Sequence, residues 1–252
     1  MEAIILAAGY ATRLYPLTKN LPKPLLEIGN KTIMEYLLDQ FQALNRIDNV
    51  YIVTNNKFYL VFCNWVDRIR QSNRYPGFNF QIINDGTTDN DSRLGAIGDI
   101  LYVIQTLKLE QDLLVAAGDN IYQTGFTGMM NLFDEKKTDI FLAHPVQSLE
   151  KLQRSGVMEL DRDNRIIGFE EKPAQPKSNY VGPALYMYTS STLHLFAQYI
   201  QEGNNPDAPG NFTAWLYKKK PVYAWVMQQT YYDIGTLEAY KKVCRELISS
   251  RR

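Results

Sequence analysis

Two residue types are nearly missing from this chain. Only two cysteines occur in 252 residues, Cys63 and Cys244, each in an apolar stretch with helical spacing. A disulfide framework needs more, so both are read as buried thiols in a reducing compartment. Histidine is as scarce: His144 and His194 fit no metal-ligand spacing and are assigned to core or surface. An excess of one charge is also lacking. Lys+Arg and Asp+Glu both total 27, so no overall basicity draws the chain to nucleic acid or to an anionic membrane, and any bound anion must be held locally. The first apolar run, Ala3 to Leu6, is far shorter than the ~20 residues of a membrane span and has no basic segment before it. A cytoplasmic protein without nucleic-acid or membrane partners is expected. No repeat, low-complexity tract or Gly/Ser linker divides the sequence, so one domain over residues 1–252 is expected.

What is present is alternation. Strand-length apolar runs at Glu2–Ala7, Asn49–Thr54, Phe80–Asp85 and Asp112–Asp119 alternate with helix-period stretches at Thr32–Leu44, Tyr59–Ile69 and Leu94–Leu107. That order predicts an α/β fold with a doubly wound, mostly parallel sheet covered on both faces. The second half is mixed α+β. Residues 156–173 read as a hairpin turning near Asp163–Asn164, Tyr180–Tyr188 as one strand, and Lys220–Met227 as another. Leu237, Tyr240, Cys244 and Leu247 give a last helix its apolar stripe. The lysines of Tyr217–Pro221 are read as a solvated turn.

The most informative stretch is LAAGYATRLYPLTKNLPKPL, residues 6–25. In an open parallel sheet, ligands bind beyond the carboxyl ends of the strands, and this loop leaves the first strand there. Ala7, Ala8, Gly9 and Ala11 carry little side chain, so their backbone N–H groups can approach a phosphate closely. Arg13 offers a forked guanidinium. Lys23 sits between Pro22 and Pro24, whose fixed φ lowers the entropy lost in placing its charge. Neither G-x-G-x-x-G nor a Walker P-loop occurs, which excludes the usual dinucleotide oxidoreductases and P-loop ATPases.

Continued to Leu38, this stretch resembles the sugar-phosphate nucleotidylyltransferases (NDP-sugar pyrophosphorylases), with their G-x-G-T-R-L-x-P-L-T and P-K-P-L motifs, and in particular short enzymes like the glucose-1-phosphate thymidylyltransferases. Ala11, preceded by Tyr10, replaces the second motif glycine. The resemblance implies a Rossmann-like nucleotidyltransferase fold, with residues 1–120 as a nucleotide-binding half and 121–252 as an integrated sugar-phosphate half. It implies a nucleotide site of Leu6, Ala8, Gly9, Arg13, Lys23, Asn84 and Gly95. Arg13 and Lys23 are the catalytic pair, and Asp119 of AAGDNI and Asp233 of YYDIGT the ligands of Mg²⁺. Asn120, Gly156 and the Glu171–Lys172 pair of FEEKP are expected at the sugar phosphate. The turn GTTDNDS is longer than in compact thymidylyltransferases, and Pro183–Ala184 stands where the family more often has Gly-Leu.

The implied reaction joins a nucleoside triphosphate to a sugar 1-phosphate and releases pyrophosphate, in nucleotide-sugar and polysaccharide biosynthesis. Two alternatives stay open: a same-fold enzyme acting on a non-sugar phosphate such as phosphocholine, and a catalytically silent nucleotide-sugar-binding regulatory homologue. Base, sugar and pathway are not readable from these motifs. Related enzymes often assemble, so a homo-oligomer is compatible with the resemblance.

Overall fold

A computed structural model describes residues 1–249. The elements run β1 (Glu2–Leu6), β2 (Glu27–Ile28), β3 (Lys31–Thr32), α1 (Ile33–Leu44), β4 (Asn49–Thr54), α2 (Tyr59–Ser72), β5 (Asn79–Asn84), α3 (Ala96–Leu107), β6 (Leu113–Ala117) and β7 (Asn120–Tyr122). They continue with α4 (Thr127–Lys136), β8 (Asp139–Pro145), α5 (Leu149–Gln153), β9 (Gly156–Leu160), β10 (Ile166–Glu171), β11 (Tyr180–Val181) and β12 (Leu185–Tyr188). The last are α6 (Leu193–Gln201), α7 (Pro209–Leu216), β13 (Val222–Val226), β14 (Tyr231–Asp233) and α8 (Leu237–Ser249). The chain forms two compact units, each assembled from three separate segments.

One unit takes residues 3–93, 117–126 and the chain from 229 onward. Its strands β1, β4 and β5 lie parallel in that order, with Ala3 beside Val50 and Val50 beside Phe80. Ala3, Ile4 and Ile5 are all fully buried, as expected of a strand covered on both faces. Helix α1 starts where Thr32 and Glu35 cap each other reciprocally, and it buries Ile33, Met34, Leu37, Leu38 and Phe41. Its end is set by Asn45 at φ 51°. Helix α8 packs Tyr240, Cys244 and Leu247 against Leu26, Ile28, Ile33 and Ile121, with Val243 fully inside the cluster. Both cysteines are free and half-buried rather than buried, because each lies at the edge of its helix's apolar stripe.

The other unit takes residues 1–2, 94–116 and 127–228. Its sheet has the order β10-β9-β11-β8-β12-β6, with β13 added parallel to β8. The expected hairpin is present as antiparallel β9 and β10, and Asn164 takes the left-handed conformation in its turn. Residues 180–188 are not one strand. Gly182–Ala184 interrupts them, since Pro183 has no N–H for a ladder, so β11 pairs with β8 and β9 while β12 pairs with β8 and β6. Helix α3 begins at Ala96, two residues later than its apolar period suggests, because Gly95 before it lies at φ 79°. Phe141, Tyr186, Tyr188, Phe196 and Phe212 interlock as ring pairs at the centre. The Tyr217–Pro221 turn is only partly solvated. Lys220 reaches inward to fully buried Asp139 at 3.1 Å and to Thr189 and Thr192.

Candidate active site

In the unit built on β1, β4 and β5, the loop after β1 encloses a cavity of about 280 Å³. Its walls include Leu6, Gly9, Ala11, Arg13, Lys23, Asp119 and Asp233. The loop's path is held by short-range bonds to the ends of its neighbours. Ala7 N–H donates to Val53 O at 2.9 Å, and Asn55 Nδ2 donates to Ala8 O at 2.7 Å. Ala11 occupies the left-handed region at φ 47°, ψ 41°, and its carbonyl accepts from Thr18 Oγ1 at 2.8 Å and Leu14 N at 3.0 Å. A 3₁₀ turn over Thr12–Leu14 follows, leaving Arg13 exposed. Tyr10 is buried against Phe58, and burial raises the pKa of its phenol.

Lys23 opens a second 3₁₀ turn, Lys23–Leu25, entered from extended Pro22. It is 8% exposed, with Nζ 2.7 Å from Asp119 Oδ2 and 3.7 Å from Asp233 Oδ1. The two carboxylates meet because β7 and β14 form an antiparallel ribbon in which Asn120, the residue after Asp119, lies opposite Asp233. Asn120 itself is buried, with Nδ2 directed to Tyr122 Oη at 3.4 Å. It faces the ribbon's stacked Tyr122–Tyr231 pair and is not part of the cavity wall.

The remaining predicted residues fall in two places. Asn84 stays with this unit, but its side chain is engaged locally, donating to Asn56 Oδ1 at 3.0 Å and accepting from Gly86 N at 2.9 Å. Ala8 and Asn84 are not in the cavity wall. The other unit holds Gly95, Gly156, Glu171 and Lys172. Gly156 and Glu171 are direct cross-strand partners at the open ends of β9 and β10. Lys172 follows at φ 51°, its N–H on Ser155 O at 3.0 Å and its exposed Nζ 3.6 Å from Glu171 Oε1. Burial raises the Glu171 pKa, partly opposed by the Lys172 charge. Sequence reasoning missed Pro24 and Gly235 in the cavity wall, although both lie inside quoted motifs. It also missed Phe169, although it opens the quoted FEEKP, and Gly210, which no local pattern marks; both close around Glu171.

Asp119 and Asp233 hold one cation between hard oxygen donors in this arrangement, namely the Lys23 ammonium. A Mg²⁺ ion is typically bound through one or two carboxylates plus substrate phosphates, so this donor set fits it. Among the described residues no group of three or more metal-type side chains gathers, so phosphate oxygens would have to complete its shell.

An α/β fold with a small-residue loop, two cations and two carboxylates around one cavity is of the class that can receive a phosphate group. More specifically, the chain belongs to the nucleotidyl transferase family, which matches residues 2–250. It is 25% identical to a glucose-1-phosphate adenylyltransferase of Rhodopirellula baltica, over 97% of this chain and 59% of that protein. It is 30% identical to the bifunctional protein GlmU of Methanococcus aeolicus, over 77% of this chain and 42% of that protein. The chain thus spans about half the length of these curated relatives. Its fold matches that of a UDP-glucose pyrophosphorylase complexed with UDP-glucose, with a TM-score of 0.81 at 19% identity, covering 99% of this chain and 98% of the other. A UTP-bound UGPase from Acinetobacter baumannii gives 0.78 at 17% identity, covering 98% and 92%.

Proposed function

We propose that this protein couples a nucleoside triphosphate to a sugar 1-phosphate, forming an NDP-sugar and pyrophosphate. The observation that carries this reading is Lys23, nearly buried and seated between Asp119 and Asp233 in a cavity walled by the small-residue loop. Family membership and the glucose-1-phosphate adenylyltransferase relatives support it.

The roles follow from charge. Backbone N–H groups from Ala8 to Ala11 and the Arg13 fork hold the β- and γ-phosphates. Lys23 neutralises charge growing on the α-phosphate, at a position fixed before the substrate arrives. Gly95 serves the nucleotide's base, while Gly156 and Glu171 serve the sugar hydroxyls; Asn84, bonded to Asn56 and Gly86, and Asn120, bonded to Tyr122, are given no substrate contact. Lys172 holds the sugar's phosphate, whose oxygen attacks the α-phosphorus in line as pyrophosphate leaves. No covalent nucleophile is required. Mg²⁺ held by Asp119 and Asp233 would add charge neutralisation at the reacting phosphates. A cytoplasmic location goes with this reading, since nucleoside triphosphates and sugar phosphates are supplied there.

The test is pyrophosphate release with Mg²⁺, each of the four nucleoside triphosphates and a panel of sugar 1-phosphates, with phosphocholine as the non-sugar comparator. Release specific to one base and one sugar is expected. Release with phosphocholine alone, or triphosphate binding without any release, would overturn the reading in favour of a non-sugar transferase or a regulatory binder respectively.

A further inference from the structure

From beyond the end of α6 into the first turn of α7 the chain runs through Asn205–Gly210, a short strap that touches α3 and Glu171. At one end, the turn opening α3 donates its free N–H groups to the strap: Ile97 N to Pro206 O at 2.9 Å and Ala96 N to Asp207 O at 3.2 Å. The approach is so close that a Cβ on Gly95 would lie 2.6 Å from Pro206 O and 2.7 Å from Asp207 Cα. These are backbone atoms, which cannot swing away. At the other end, Gly210 enters the first turn of α7 and is buried. A Cβ there would lie 2.3 Å from Glu171 Oε2 and 2.8 Å from the Phe169 ring. Gly156 closes the opposite side, its hypothetical Cβ 2.9 Å from the same oxygen and 2.4 Å from Phe169. The Glu171 carboxylate therefore rests in a slot between two residues without side chains.

The strap is itself anchored. Tyr199 Oη donates to Asn205 O at 2.7 Å, and Asp207 N donates to Asn205 Oδ1 at 2.8 Å. With its first residue tied to α6, Pro206 and Asp207 held by the start of α3, and Gly210 against β10, the strap has little room to move at one end alone.

We infer that Asn205–Gly210 is a positioning device. It transmits the placement of the Gly95 turn to the Glu171 carboxylate, and Gly210 is the position that seats that carboxylate. This rests on the proposed function, in which Gly95 serves the nucleotide and Glu171 the sugar; the strap then sets sugar-phosphate affinity from outside the substrate's own contacts. Gly210 is a positioning residue, not a catalytic one.

Two variants test it: Gly210→Ala, and Gly95→Ala, whose added methyl meets only the strap among its nearest neighbours. The first readout needs no activity. In protein labelled with ¹³C at glutamate Cδ, the Glu171 resonance is titrated in the unliganded state. Lys172, Asp207 and Tyr186 are the ionisable groups around it. Gly210→Ala is expected to expel the carboxylate toward solvent and lower its midpoint toward the ordinary carboxylate value. Gly95→Ala is expected to shift it as well, through the strap. The second readout is kinetic. Gly210→Ala is expected to raise KM for the sugar phosphate about tenfold and leave KM for the triphosphate within about twofold, as loss of one contact to a charged group would. If Gly210→Ala alone fails to fold, adding Phe169→Leu removes the ring atoms its methyl would meet and keeps Glu171 for the titration. An unchanged Glu171 midpoint in Gly210→Ala overturns the seating role, and an unchanged midpoint in Gly95→Ala overturns transmission. Wild-type protein inactive on every sugar phosphate would sink the proposed function instead, while the titration would still decide the strap.

Discussion

Lys23 is where electrostatics and backbone geometry meet most closely. Its ammonium offsets two carboxylates that would otherwise repel each other beside the cavity. Replacing it by Ala should cost on the order of 10²–10³ in turnover, as loss of one preorganised charge-stabilising donor does. The fold should persist, since β7 and β14 remain paired through their backbones. Pyrophosphate release together with a circular-dichroism melt checks both halves, and wild-type turnover in Lys23→Ala would remove the residue from the mechanism. Ala11 invites the opposite experiment. A non-glycine residue at φ 47° carries left-handed strain, so Ala11→Gly should stabilise the protein by roughly 0.5–1 kcal/mol in urea unfolding. Equal or lower stability would mean that the bonds to Thr18 and Leu14 already absorb the strain. Glu171 makes a pH prediction. Its folded-state pKa is raised by burial, so it protonates in the folded protein at a higher pH than in the unfolded chain. Its contribution to stability is full in acid and is lost as pH rises through that raised value, so Glu171→Gln should raise the melting temperature at neutral pH. Sugar binding runs the other way, because the ionised carboxylate accepts hydrogen bonds from hydroxyls more strongly than the neutral acid does. KM for the sugar phosphate should climb on acidification from above the ordinary carboxylate range, and Glu171→Gln should flatten that limb.

At the level of elements, local patterns were readable and pairings were not. Helix α1 was legible from the spacing of Ile33, Leu37 and Phe41, and β4 from Asn49–Thr54, because periodicity and caps act within a few residues. The phosphate loop was legible for the same reason, being contiguous. The division of residues 180–188 into β11 and β12 was not legible, because it depends on which neighbours accept each half. Lys220 was misread as solvated for a similar reason, since its partner Asp139 lies on β8 beside β13. Lys220→Met should leave Asp139 buried without its counter-charge and cost about 3 kcal/mol, near the lower end for breaking a buried pair since the lysine is 21% exposed. Chemical denaturation reads this directly. A loss under about 1 kcal/mol would show that Thr189 and Thr192 satisfy the carboxylate unaided.

Across the whole molecule, the proposed chemistry calls for a divalent ion, and among the described residues no group of three or more metal-type side chains gathers to hold one without substrate oxygens. Chelation by EDTA should abolish pyrophosphate release and added Mg²⁺ should restore it. Full turnover in EDTA would overturn the assignment of Asp119 and Asp233 as ligands and leave them as the seat of Lys23 only. The sequence by itself determined the α/β alternation and the contiguous loop of residues 6–25, because each arises from interactions between near neighbours, whereas the start of α3 and the end of α2, at Ser72 instead of Ile69, were not read from it. Family resemblance put Asp119 and Asp233 at a metal and Lys23 at the phosphates, but the ion pairing of both carboxylates with Lys23 was not expected. Tertiary structure decided it, bringing Asp119 to a residue 96 positions earlier through the β7–β14 ribbon. It likewise decided the Gly210–Glu171 contact and the Lys220–Asp139 pair. Such contacts depend on which strands and helices become neighbours, and side-chain periodicity records which face is buried but not what buries it.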